Sequence, residues 1–495
     1  MKNGRNKFIC LIVCVFYVMV LFAVPASANS AQTDWSGRNS SGVMVRDENC
    51  PIVVTNEVLT FDIAQFPDYD AYKPEVEELL EYSAQVTAEY TFYNPSDLEI
   101  TAKLAFPFET GQGYARNYEN AYNQSNIDKY GVTVNGETVD KTVRHTLQAG
   151  TEFDLSNDLP RIHDEYVSDS FYTPDTLVTV YTYKVDYSTV ETTNGMIDFD
   201  IYHAFDFNVD KERTRLYCPY MSCYNLQDDG DRRISHRARI NTTAVIYAIG
   251  EPLSQPLDWT FYEDYKVKDG TEVSGEMYLA STDTMRFEDF ALEEREQDSP
   301  ISEIDWYNIV VCALNSGVEN SKSFARSSGR NINYSGYQDD LLCWYEYEIT
   351  LQPGETITNT VTVPLYPKVN SIYHPDIFTY NYLLSPAKTW ASFGELEIVV
   401  NTPYYIISNT LDGFEKNDSG YVMKRTGLPD KEFKFILCES DDPENSRSGM
   451  KWSEIKKRSE VMEETTSFVS DYFVYIGIGI AALIVICVII TKKKK

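Results

Sequence analysis

Asp206-Phe207-Asn208-Val209-Asp210 sets an oxygen-bearing side chain at every second position, the spacing with which a calcium loop opens. Such a loop also needs glycine at its sixth position and a bidentate glutamate at its twelfth. Lys211 and Tyr217 stand there instead, and the same alternation describes a half-exposed strand with Phe207 and Val209 turned inward. Asp206, Asn208 and Asp210 are thus the candidate cation ligands, set against a strand reading of the same residues. Asn225 to Gly230 (NLQDDG) is similarly rich in oxygen and also lacks the distal glutamate.

Catalysis needs a nucleophile or metal, a base and a group that orients it. The five histidines are His145, His163, His203, His236 and His374, and they form no HExxH or HxH pair. GxSxG, the phosphate loop GxxxxGK[ST] and GxGxxG are missing as well. His163-Asp164-Glu165 is the most reactive-looking cluster, and its polar surroundings read as a solvated loop. Six cysteines lie outside the terminal apolar runs: Cys50, Cys218, Cys223, Cys312, Cys343 and Cys438. Their wide spacing argues against a small disulfide scaffold and leaves disulfides or buried thiols open. Cys218 and Cys223 are the one local pair, and zinc would need two further clustered ligands. No catalytic residue and no cofactor is assigned on this basis.

Tyrosine, threonine and valine are abundant and short alternating runs recur, which favours a mainly β protein. The stretch Tyr90 to Glu109 reads YTFYNPSDLEITAKLAFPFE. Val86, Ala88, Tyr90 and Phe92 form one inward set; Leu98, Ile100, Ala102, Leu104 and Phe106 form another. Asn94-Pro95-Ser96-Asp97 turns the chain between them, and Pro107 is expected to end the second strand. Cys343 to Pro364 repeats the pattern, with Cys343, Tyr345, Tyr347, Ile349 and Leu351 before a Gln352-Pro353-Gly354-Glu355 turn and Ile357, Val361 and Val363 after it. Asn359 interrupts the second inward set. Between the two copies, Ser302 with Asp305 starts a helix carrying Ile301, Ile304, Val311, Cys312 and Leu314 on a broad face, and Gly317 fits its stop. A shorter helix is expected at Pro74 to Tyr82.

The ends place the protein. Residues 1–28 combine basic Lys2, Arg5 and Lys7, an apolar run and Pro25-Ala26-Ser27-Ala28, which reads as a secretory signal of bacterial style cleaved after Ala28. Phe473 to Ile490 carries no charge and precedes Lys492 to Lys495. At about 1.5 Å per residue it spans about 27 Å, enough for a bilayer, with the lysines inside. That tail resembles the cell-wall sorting signals of Gram-positive surface proteins, but Glu463 to Ser467 holds no LPxTG-like site, so membrane retention is the reading. The resulting division is a signal peptide (1–28), an N-terminal β-sandwich domain with insertions (29–290), a helix plus second β-sandwich domain (291–440), a juxtamembrane stalk (441–471), a transmembrane helix (472–491) and a cytoplasmic basic tail (492–495).

With 43 basic and 75 acidic residues the net charge is −32, and the acidic excess grows once the basic leader and tail are set aside. Such a charge repels nucleic acid and anionic lipid. The runs Val86 to Asn94, Leu104-Ala-Phe-Pro-Phe108 and Val132-Thr-Val-Asn-Gly-Glu137 resemble the strand order of VIT-type domains, those of vault proteins and inter-α-trypsin inhibitor heavy chains, over about 50 residues. The resemblance implies a β-sandwich used for interaction and carries over no active site. Asp154-Leu-Ser-Asn-Asp158 superficially suggests the DxSxS metal motif of the von Willebrand A domains that often follow, but ends in Asp158 and follows no buried strand. These features point to an extracellular, membrane-anchored, non-catalytic protein that binds a protein or glycan partner or takes part in envelope assembly. The alternative is an envelope hydrolase acting on wall or glycan.

Overall fold

The computed structural model describes residues 39–41, 43–46, 49–66, 84–109, 130–148, 154–190, 202–207, 210, 212–219, 222–225, 232–237, 243–262, 271–293, 295, 297, 299–321, 341–365 and 367–458. The leader, the apolar span and its basic tail, the helix expected at Pro74 to Tyr82 and the insertion Thr110 to Lys129 lie outside them. Among the described residues no helix is long and apolar enough to cross a membrane.

The fold is mainly β. Inward alternation over Ala84–Tyr93 and Ile100–Glu109 is as the pattern requires: Val86, Ala88, Tyr90, Phe92, Ala102, Leu104 and Phe106 are all buried. The two strands do not pair with each other, however. Ala84–Tyr93 pairs with Val53–Ile63 and Thr356–Pro364, whereas Ile100–Glu109 pairs with Leu341–Leu351 and, at its middle, with Met44–Val45. The Asn94 turn is therefore a corner that carries the chain from one sheet to another. Gln352–Glu355 is the matching corner, with Leu341–Leu351 in one sheet and Thr356–Pro364 in the other.

The two corners lie against each other. Asn94 N–H donates to the Glu355 carbonyl and Gly354 N–H donates to the Asn94 carbonyl, each at 3.0 Å. The buried Asn94 amide donates to the carbonyls of Leu98, Leu351 and Gln352 at 2.8, 3.1 and 3.1 Å, while its oxygen takes the Ser96 N–H at 3.0 Å. Gly354, at φ +70°, supplies the left-handed residue that this corner needs. Spending the segment on hydrogen bonds leaves Leu98, expected inward, 65% exposed.

The two copies of the pattern thus share sheets and one core. An eight-stranded sheet runs in the order Glu415–Lys416, Gly420–Thr426, Phe393–Asn401, Val53–Ile63, Ala84–Tyr93, Thr356–Pro364, Gly131–Val134, Glu137–Thr138. Its inward side chains join those of the Ile100–Glu109/Leu341–Leu351/Thr142–Leu147 sheet and of a sheet built on Ile377–Leu383 and Phe433–Cys438. Phe61 lies edge-on to Tyr382, Phe433 and Phe435 at 5.3–5.6 Å between ring centres, and Phe92 packs on Trp390 at 4.4 Å. Asn359 is no interruption, because its amide is buried on the Tyr347 hydroxyl at 3.0 Å. Pro107 also departs from expectation: the strand runs on to Glu109. Past Ala105 that strand has a partner on one side alone among the described residues, so a proline nitrogen facing the other side forfeits no ladder bond there.

A second core lies between these copies in sequence. Leu177–Asp186, Thr214–Tyr217, Thr243–Gly250 and Glu276–Arg286 form a four-stranded sheet, and Phe287–Leu292 and Glu303–Ser321 bring Phe287, Phe290, Trp306, Tyr307 and Val310 into one apolar cluster with Val178 and Ile249 of that sheet. Ser302 Oγ accepts the Asp305 N–H at 3.0 Å, the cap read from the sequence. The helix continues past Gly317 to Ser321, since a lone glycine costs a helix only about 1 kcal/mol. At the far end, Glu444–Asn445 pairs with Tyr373–His374 and the Trp452 ring packs on Tyr373 while donating to the Ile407 carbonyl at 3.3 Å. The polar stretch after Cys438 is accordingly folded onto the body, not the end of it.

Asn94→Ala strands buried carbonyls at both corners and should lower stability by roughly 2–4 kcal/mol, against less than about 1 kcal/mol for Ser96→Ala. Urea unfolding with the denaturant slope unchanged is the measurement.

Candidate functional site

The Leu341–Leu351 strand turns alternate residues away from the core that the sheets share. On that outer face Ala105, Leu342 and Trp344 are covered by Leu159 and Ile162. Arg144 is the cross-strand neighbour of Trp344, and Glu346 lies two residues along, so the pleat puts a guanidinium and a carboxylate side by side. Arg144 Nη1 donates to Glu346 Oε1 and to Asp164 Oδ1, both at 3.1 Å. Its Nε and Nη2 donate to Asp305 Oδ1 at 3.1 and 2.9 Å, and Nη2 also reaches the His163 carbonyl. Asp305 Oδ2 takes the His145 backbone N–H at 2.9 Å.

Arg46 continues the network. Its Nη1 donates to Asp164 Oδ1 at 2.9 Å and to Glu346, and its Nη2 donates to the Ile162 carbonyl at 2.7 Å. Lys103 Nζ closes on Asp164 Oδ2 at 3.0 Å. Burial works against ionising Asp164, but the donors Arg46, Lys103 and Arg144 outweigh it and hold the carboxyl well below the usual range. Asp305 is likewise opposed by burial and held low by His145 and Arg144. The arrangement ties the loop at Asp164 and the first turn of the long helix to the outer face of the sheet.

His145 sits beneath it. Burial pulls its imidazole down, while Cys343, directly across the ladder, and Asp305 pull it up more strongly, to about 9. A thiol, an imidazole and a carboxylate in that order have the composition of a cysteine nucleophile with its base and orienter. Cys343, His145 and Asp305 are 0%, 1% and 2% exposed, so the set is closed to substrate in this conformation and acts as packing. His163 is pushed down by burial and by Arg46 and Arg144, which favours the neutral ring.

A cleft of about 2470 Å³ opens beside the network, between the Ile100–Glu109 sheet, the segment at 154–164 and the Ile377–Leu383/Phe433–Cys438 sheet. Arg46, Lys103, Arg161, Lys388, Lys431 and Lys434 line it, with Glu99, Asp154, Asp164 and Glu432. Glu432 is engaged with the backbone N–H groups of Leu384 and Ser385, and Asp154 with those of its own turn. Arg161 spends Nε and Nη1 on the carbonyls of Asn157 and Leu147 and on Cys312 Sγ.

No protein-family model and no curated protein matches the chain. Among solved structures, one of a proposed nutrient-binding protein from Legionella pneumophila strain Philadelphia 1 is similar at 11% identity and a TM-score of 0.27, over 82% of this chain and 72% of that one. A score that low does not establish a shared fold.

The residues singled out in the sequence scatter. Asp206 lies in the strand Tyr202–Phe207, Asp210 is an exposed turn residue whose carboxylate takes the Glu212 N–H at 3.0 Å, and Asn208 lies outside the described residues. Among the described residues no group of three histidine, cysteine or acidic side chains could hold a metal. Asp154 to Asp158 is a capped turn: Asp154 Oδ1 takes the Ser156 N–H and Asp158 Oδ2 takes the Asp154 N–H, at 3.0 and 2.8 Å. Cys50, Cys218, Cys312, Cys343 and Cys438 carry thiols. Of the His163-Asp164-Glu165 cluster, Asp164 is the member that joins the network. Arg46, Arg144 and Glu346 escaped the sequence reading and Asp305 was read only as part of a helix cap, because the network draws them from four segments.

A second buried acid lies in the core that the sheets share. Glu57 is 1% exposed and opposite Tyr90, and burial pushes its carboxyl up to about 8 against the opposing hydrogen bond from Tyr90. Below about pH 4.5 the group is neutral folded and unfolded alike; as pH rises toward about 8 the unfolded chain loses the proton that the folded chain keeps. Stability therefore falls through that window and levels above it. Urea unfolding between about pH 5 and pH 9 should show a decline in the native protein that exceeds that of Glu57→Gln.

Removing one partner of the buried pair by Asp305→Ala should cost about 3–5 kcal/mol, because Arg144 Nε and the His145 backbone N–H then lose their buried carboxylate acceptor. Arg144→Met in the same chain should recover part of that loss, as read from the same unfolding curves.

Proposed function

We propose that this is a membrane-anchored surface protein whose body binds a protein or glycan ligand without converting it. In this reading residues 1–28 export the chain, residues 472–491 hold it in the membrane and residues 492–495 remain inside. The observation that carries the binding role is the cleft of about 2470 Å³, well above the roughly 300–1,000 Å³ of a small-molecule pocket and open to an extended ligand. Two of its walls are strands packed in one core, and the Arg46, Arg144, Asp164, Glu346 and Asp305 network beside it fixes the segment at 154–164, the preorganised support that a binding surface requires. The VIT-like strand pattern supports the same role.

A tag placed after Ala28 should be shaved by protease from intact cells making the full chain, and protection until lysis would contradict the outward topology. Thr101→Trp, at an exposed position lining the cleft, should abolish retention of envelope fragments by the full chain in lipid nanodiscs while leaving the melting curve within a few degrees of the parent.

A further inference from the structure

The cleft is cationic in a chain of net charge −32, and its charges are unequal in how they are used. The acids lining it are engaged within the fold: Asp164 by Arg46 and Arg144 at 2.9 and 3.1 Å and by Lys103 at 3.0 Å, Asp154 by Ser156 and Asn157 at 3.0 and 2.7 Å, Glu432 by two backbone N–H groups, and Glu99 by the Gln352 amide. The cations are not all spent this way. Lys388, Lys431 and Lys434 are exposed and meet no carboxylate among the described residues. Arg161 gives Nε and Nη1 to carbonyls and a thiol, which leaves its charge without a counter-ion among the described residues and Nη2 without an acceptor there.

Hydrogen bonds to neutral donors leave Glu99, Asp154 and Glu432 charged, but six cations against four acids still make the described lining net positive, and a concave surface focuses that potential against an acidic exterior. Neutral hydrogen-bonding side chains lie between them, including Gln148 and Asn381. Donors of that kind suit hydroxyl groups, and the volume suits a chain of several residues. The acidic exterior disfavours a nucleic-acid duplex, which carries about one charge per 1.7 Å and would overrun the cleft.

We propose that the cleft bounded by Arg161, Lys388, Lys431 and Lys434 binds an acidic oligosaccharide, its negative charge carried by uronate carboxylates or by phosphodiesters. This rests on the reading of the protein as a surface binder and names the class of ligand. Arg161 supplies its charge and the Nη2 N–H groups to one carboxylate or phosphate oxygen, and the three lysines supply further positive charge along the cleft.

The test uses the full chain in nanodiscs of zwitterionic lipid, titrated with oligogalacturonate, with a phosphodiester-linked oligosaccharide, with neutral dextran and with single-stranded DNA of equal charge. The expected result is saturable binding of one of the first two, weakening with added salt. Each of Lys388→Ala, Lys431→Ala and Lys434→Ala should lower affinity about two- to fivefold and the triple variant by the product, with melting unchanged. Which of the two acids binds tells carboxylate from phosphodiester recognition. Dextran binding as tightly, DNA binding as tightly, or a triple variant that binds like the parent would each overturn the acidic-saccharide assignment. If no probe binds while Thr101→Trp still abolishes retention of envelope fragments, the ligand class falls and the binding role stands; if retention is also indifferent to Thr101→Trp, both fall.

Discussion

Two sheet corners, more than 250 residues apart in the chain, are locked to each other by one buried asparagine amide, and the rest of the molecule hangs from that lock. Asn94 ties its own corner to the one at Gln352–Glu355, and from there Ile100–Glu109 and Leu341–Leu351 run antiparallel along their full length. The chain leaves that pair after Glu109 and re-enters it at Leu341, adding Gly131–Val134, Glu137–Thr138 and Thr142–Leu147 to the same sheets before the longer excursion begins. Closing so long a loop carries an entropic cost that grows only slowly with its length, so a large insertion is tolerated once the strands that flank it are firmly paired.

The outer face of the same pair then dictates where the site forms. A strand buried on both faces needs a cover, and Leu159 and Ile162 supply it over Trp344, while the strand's polar positions need partners of opposite charge. Arg144 finds them in Asp305, Asp164 and Glu346, and Glu346 also meets Arg46, which fixes the first turn of the long helix and the adjacent loop against the sheet. A buried ion network is weak evidence of stability, but its demand for full pairing leaves few alternative placements for those segments. The cleft is the space left beside the cover, and its free lysines come from elements that the network does not reach.

Local pattern carried much of this. Period-two alternation located the inward faces of the four central strands, and Ser302 with Asp305 located the helix start, because both depend on neighbours in sequence. What alternation could not tell was whether Asn94-Pro95-Ser96-Asp97 folded two strands onto each other or sent them into different sheets. The same turn chemistry serves both, and the choice rests on the Asn94 amide meeting carbonyls at Leu351 and Gln352. For that reason the repeat at Cys343 to Pro364 read as a second domain when it completes the first sheets. Asp305 was legible as a capping residue yet not as the partner of Arg144, and the cleft lysines were legible only as rare bases in an acidic chain.

Native-state hydrogen exchange tests the central claim, that the two corners close a single cooperative core. The amides of Val86–Phe92, Ala102–Phe106, Tyr345–Ile349 and Ile357–Val363 should exchange with one common free energy equal to that of global unfolding. Two separate values, one for the residues before 110 and another for those after 340, would mean two independent cores and would contradict it.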